Sequence, residues 1–122
     1  MKREEYRRRR QGALRERQAG KFLENLGYEI LEYNFRSRGG EIDIVARDGG
    51  YLVFVEVKYR RDERAGNPME AVDGRKQRRI CLAASGYLAR RHFSLDTPCR
   101  FYVVAIMGER TEVVKDAFPF CL

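Results

Sequence analysis

Gly40-Glu41-Ile42-Asp43-Ile44-Val45-Ala46, then Arg47-Asp48-Gly49-Gly50, then Tyr51-Leu52-Val53-Phe54-Val55-Glu56-Val57-Lys58-Tyr59 is the stretch that decides the fold of this chain. Its two apolar segments are rich in the β-branched and aromatic residues that favour strands, and the Gly-Gly between them signals a hairpin. Side chains alternate across a strand, so Glu41 and Asp43 are expected on one face and Glu56 and Lys58 on one face of the neighbouring strand. Val53, Val55 and Val57 point the other way, while Leu52 and Phe54 share the face of Glu56, so both faces of the second strand are expected to be covered.

Charges set into such an apolar hairpin cost several kcal/mol in order of magnitude if buried without partners. An arbitrary hairpin carrying them is a cross-strand ladder of ion pairs on a solvated face. Here the acidic-x-acidic pair, the Gly-Gly turn, the Glu-Val-Lys ending and apolar residues on both faces coincide, which favours an active site. Three carboxylates and one ammonium suit metal-assisted phosphodiester hydrolysis. Asp43 and Glu56 are hard oxygen ligands for Mg²⁺ or Mn²⁺, with a main-chain carbonyl at Val57 and waters completing the shell. Lys58 is expected to orient the attacking water and to offset charge on the transition state.

Asp43 followed by Glu56-Val57-Lys58 resembles the bipartite D-(x)n-E-x-K signature of the restriction-endonuclease-like nuclease superfamily. More closely, GGEIDIVARDGG with FVEVKYR resembles the uncharacterised bacterial YraN-type family, which is similar to archaeal Holliday-junction resolvases. Gly12 to Ala19 resembles that family's first-helix segment, Arg75-Lys76-Gln77 its second-helix segment, and Lys115 to Phe118 its C-terminal segment. The resemblance implies that Asp43 and Glu56 bind metal and that Lys58 is catalytic. It further implies that Glu16 lies beside the metal site and that Glu41 belongs to a Gly-Glu-x-Asp pattern of the same site. It also implies a homodimer, because resolvases cut two strands with two sites. Two departures stand out. Ile42 precedes Asp43 where the most quoted form of the signature has proline, and Arg15 stands where relatives usually have glycine.

The chain has 122 residues, 43% of them hydrophobic, which is one domain able to bury roughly two thirds of its unfolded surface. A net charge of +7, with arginine far outnumbering lysine, calls for an anionic partner contacted through bidentate phosphate contacts. Nucleic acid, and DNA in particular, is the expected partner. Its contacts are expected from Arg36 and Arg38 in the turn before Glu41, Arg60 and Arg61 in the charged loop from Arg60 to Asn67, and Arg75, Lys76, Gln77 and Arg79 on a helix face. Gln77 is also expected to approach the metal. Basic faces are also common on merely solvated helices, but four cations among the five polar residues from Arg75 to Arg79, with no acid, exceed what solubility needs.

Cys81, Cys99 and Cys121 have no CxxC or Cys/His ligand spacing and His92 is the sole histidine, which speaks against zinc and against Cys-His catalysis. Core thiols, no signal-peptide stretch and no run of membrane-spanning length lead to the expectation of a cytoplasmic protein with no membrane partner.

The fold class expected is α/β, a restriction-endonuclease-like mixed central sheet flanked by helices in the order α-β-β-β-α-β, with a short last strand at Thr111 to Val114. The first helix is expected over Gln11 to Leu26, with Ala19, Phe22, Leu23 and Leu26 in the core. Residues 1–10 are expected as a frayed helix start or flexible basic arm. A first strand is expected over Tyr28 to Phe35, and a long helix from Met69 to about Arg91, broken near Asp73-Gly74. Phe118, Phe120 and Leu122 form an apolar tail that caps the core or offers a dimer contact. The leading functional expectation is a metal-dependent endonuclease acting on DNA, branched junctions included. A nuclease-like nucleic-acid-binding module with little turnover and a structural partner of an acidic protein are the alternatives.

Overall fold

Gly49 and Gly50 form a two-residue turn between β2 (Gly40–Asp48) and β3 (Tyr51–Arg60) in the computed structural model, which describes residues 2–61 and 66–121. Asp48 sits opposite Tyr51, and Gly49 takes φ 60°, the left-handed conformation that a tight hairpin turn demands. β1 (Glu29–Ser37) pairs antiparallel with β2 and runs two residues past the expected end at Phe35, so Arg36 and Ser37 are strand residues and the turn shrinks to Arg38-Gly39. β3 pairs parallel with β4 (Cys99–Met107), and β5 (Arg110–Val114) closes the sheet antiparallel to β4. The order is β1-β2-β3-β4-β5, a mixed five-stranded sheet compatible with a restriction-endonuclease-like fold.

A parallel neighbour requires a crossover, and the chain supplies it with a one-turn 3₁₀ helix (Pro68–Ala71) and then α2 (Gly74–Arg90). The break expected near Asp73 is there. The Asp73 carboxylate accepts the Lys76 N–H at 2.9 Å and caps α2, while the Gln77 amide donates to the Val72 carbonyl at 2.9 Å. α2 lays Ile80, Ala83, Ala84, Tyr87 and Leu88 on Phe35, Val45, Leu52 and Phe54. α1 (Arg3–Asn25) covers the other face, with Ala19 and Leu23 against Ile44, Val53, Val55 and Tyr102. Both faces of β3 are therefore dry, which makes the sheet a rigid base for any side chain at its end.

Three expectations change in detail. From Arg3 onward the opening basic run is the exposed start of α1. Leu26 is not core: it lies past the last helical residue and is exposed, because Gly27 turns the chain away. The apolar tail caps the core through Phe118, whose ring stacks on Phe101 at 4.9 Å, while Phe120 meets the same ring edge-on at 5.3 Å. Leu122 and residues 62–65 of the charged loop, Arg64 among them, lie outside the described residues. No helix among the described residues is long and apolar enough to cross a membrane.

The β1–β2 turn is wedged onto α2. A Cβ on Gly40 would sit 2.8 Å from the Arg79 carbonyl oxygen, a backbone atom that cannot step aside. Gly40→Ala should therefore destabilise the protein by about 1–3 kcal/mol in urea denaturation. Gly12→Ala, where a Cβ meets nothing within 4 Å on helix α1, should stabilise it by about 0.5–1 kcal/mol.

Candidate active site

Regular alternation does not carry Asp43 to its place. Tyr33 lies on the α1 face, under the Arg17 guanidinium, yet Phe35 lies on the α2 face with its ring 5.0 Å from Tyr87. Two residues apart on one strand, they should share a face. Their partners repeat the reversal, for Ile44 opposite Tyr33 packs with the α1 cluster and Ile42 opposite Phe35 with the α2 cluster. The inversion falls at Asn34, which has φ 54°, and at Asp43 across from it. Asparagine is among the few residues that tolerate this left-handed conformation.

Pairing of β2 with β3 stops at Ile44 and Val55. Beyond it the Asp43 side chain takes over, and its Oδ2 accepts the Val57 N–H at 2.8 Å. Val57, expected to offer its carbonyl, thus contacts the site through its amide. From α1, Glu16 reaches in beside the Asn34 and Asp43 side chains. Carboxylate oxygens of Glu16, Glu41 and Asp43 lie within 4.8 Å of one another, a spacing at which one cation can be held by all three. Glu16 and Glu41, secondary in the sequence reading, thus join Asp43 in the tightest set of ligand oxygens.

Glu56 is 6% exposed and stands beside this group, lining with Glu16, Asp43 and Val57 a depression of about 240 Å³ that is fenced by Arg15 stacked 3.5 Å over the Tyr59 ring. Its Oε1 lies 3.2 Å from the Lys58 ammonium and 3.5 Å from that of Lys76 on α2. Lys76 is the residue whose role sequence reasoning missed. Its position three residues after a capping aspartate was the available signal, since that cap sets the first turn of α2 against the end of β3.

Burial pushes the Asp43 carboxyl up to about 8, with the Glu56 charge adding to the effect and the Val57 N–H opposing it. Glu16 is raised as well, first by burial.

A second, more open groove of about 560 Å³ adjoins the acidic cluster at Glu41 and is lined by Arg36, Arg38, Lys76 and Arg79. Arg36 lies 3.5 Å from Glu41 across the β1–β2 pair. The other expected contacts are elsewhere. Arg60 bonds the Tyr59 carbonyl at 3.0 Å, Arg61 follows it, exposed, at the end of β3, and Arg75 is exposed on α2 outside this groove. Gln77 does not approach the acids, because its amide is spent on Val72.

A family model described as uncharacterised protein family UPF0102 matches residues 15–106. A UPF0102 protein of Lachnoclostridium phytofermentans is 49% identical over 108 residues, covering 88% of this chain and 92% of the relative. One from Symbiobacterium thermophilum is 54% identical over 98 residues, 80% of this chain and 82% of the relative. One from Klebsiella pneumoniae is 44% identical over 104 residues, with 84% and 81% covered.

The raised Asp43 carboxyl gives stability a definite slope. Its folded value lies above the ordinary 3.8, so the native state holds the proton longer than the unfolded chain, and stability falls as pH rises from about 4 to about 8. In chelator, thermal unfolding should show this loss, on the order of 5 kcal/mol across the window, and Asp43→Asn should flatten it and unfold at higher temperature. Excess Mn²⁺ should restore stability to the unaltered protein at pH 8 and not to Asp43→Asn.

Proposed function

We propose that this chain, which belongs to the uncharacterised protein family UPF0102, the YraN-type group whose motifs its sequence carries, is a Mg²⁺- or Mn²⁺-dependent endonuclease hydrolysing phosphodiester bonds in DNA. The observation that carries this reading is the convergence of Glu16 from α1 with Glu41 and Asp43 from β2, at cation-binding distance, beside Glu56 and Lys58 on β3. The donor set fits: three hard carboxylate oxygens suit Mg²⁺ or Mn²⁺ and not a soft-ligand metal. When bound there, such an ion polarises the phosphate and lowers the pKa of a water.

The chain's own residues do the rest. Asp43, pinned by the Val57 N–H, presents one oxygen in a fixed direction. Lys58 stands at the rim of the acidic group, where its ammonium orients a water and offsets negative charge developing on the phosphate. Arg36, Arg38 and Arg79 along the adjoining groove take the flanking phosphates, and guanidinium forks suit that task. A symmetric pair of chains would bring two such sites to two strands, which makes branched junctions the first substrates to try.

One observation favours a second reading, a binding module with little turnover: Glu56 is held by two lysines. Cleavage assays separate the two. With Mn²⁺ or Mg²⁺, four-way-junction, flap, single-stranded and duplex DNA should give products from at least one structure. Asp43→Ala and Lys58→Ala should each lower the rate by on the order of a hundredfold or more. Binding that weakens steeply with salt, with no metal-dependent product, would instead mark the binding module.

A further inference from the structure

Lys76 belongs to two surroundings at once. Its ammonium lies 3.5 Å from Glu56 Oε1, and its side chain lines the basic groove with Arg36, Arg38 and Arg79. Glu56 does not need both its lysines to be charge-balanced, because Lys58 already stands closer, at 3.2 Å on the same oxygen. The two lysines differ in freedom. The Lys58 side chain is 20% exposed and springs from β3, whereas that of Lys76 is 38% exposed and reaches in from the first turn of α2. The Lys76 backbone is fixed by the Asp73 cap, so the side chain alone can change partners.

Resting on the nuclease reading, we propose that Lys76 is a positioning residue that exchanges Glu56 for a backbone phosphate when nucleic acid enters the groove. A phosphodiester beside Arg36, Arg38 and Arg79 offers the ammonium a wetter, less confined anion than the buried carboxylate. On the exchange, Glu56 keeps Lys58 and loses its second cation, and the acidic group gains net negative charge at the moment a phosphate arrives. Nucleic acid and divalent cation then bind cooperatively, each raising the affinity of the other by the same factor. Without nucleic acid the site holds its cation weakly.

Calorimetry with Ca²⁺ as the probe, with and without a short DNA duplex, tests this without relying on turnover. The unaltered protein should bind Ca²⁺ about fivefold or more tighter with the duplex present. In Lys76→Ala the free protein should already bind Ca²⁺ about three- to tenfold tighter than the unaltered one, and the gain from the duplex should shrink by about threefold. Lys76→Arg should restore the unaltered pattern, and Lys21→Ala, which removes one charge from a different helix, α1, should not reproduce the effect. Free-state affinity unchanged in Lys76→Ala, or a duplex effect as large as in the unaltered protein, would overturn the exchange and leave the nuclease reading standing. An unaltered protein that binds neither Ca²⁺ nor duplex would overturn that reading, and the exchange with it.

Discussion

The hydrogen bond from the Val57 N–H to Asp43 Oδ2 is the constraint on which the site depends. It forms where the β2–β3 ladder ends, so a side chain occupies the position that backbone pairing vacates. This places a carboxylate within β2 just beyond its last pair with β3, at a point where helix α1 brings Glu16 from one face and α2 brings Lys76 from the other. Weakening the bond would let β2 diverge further and would dissolve the group as a group.

Electrostatics explains why the arrangement is held by so much packing. Four carboxylates in one neighbourhood repel one another, and Asp43 and Glu16 are raised first by burial and then by that repulsion. Lys58, Lys76 and Arg36 compensate only part of it, from the rim. A fold that carries such a cluster at the end of its best-packed strands gives up stability locally and retains it through the two cores on either face. That pattern is common where function sets the residues.

The hairpin, the mixed sheet, the covered faces of β3 and the Asp43, Glu56 and Lys58 set were legible because they rest on short-range signals: Gly-Gly, alternation, and charges in apolar runs. Glu41 was legible beside Asp43 from the same alternation, and Glu16 only through family resemblance. The face inversion was not legible, since alternation arguments assume unbroken strands, although Asn34 between Tyr33 and Phe35 carried a trace of it. Lys76, not Gln77, reaches the acids, because helical phase is not readable from sequence across the break at Asp73. One residue of phase there decides which side chain turns toward β3 and which folds back on Val72. Leu26 fitted the helical spacing but lay past Asn25, the last helical residue, just before Gly27 turns the chain.

The close approach of Gly39 and Gly40 to Leu82 and to the Arg79 carbonyl has a mechanical meaning. With the Arg90 guanidinium also bonded to the Arg36 carbonyl and the Arg91 guanidinium forked onto Glu32, the hairpin tip and α2 are fastened at several points along their length. The two walls of the basic groove are therefore jaws of a calliper locked at one opening. On the proposed nuclease reading, a nucleic acid would be gauged by whether its backbone already has the matching width and curvature, and side-chain reach, not jaw movement, would supply the adjustment.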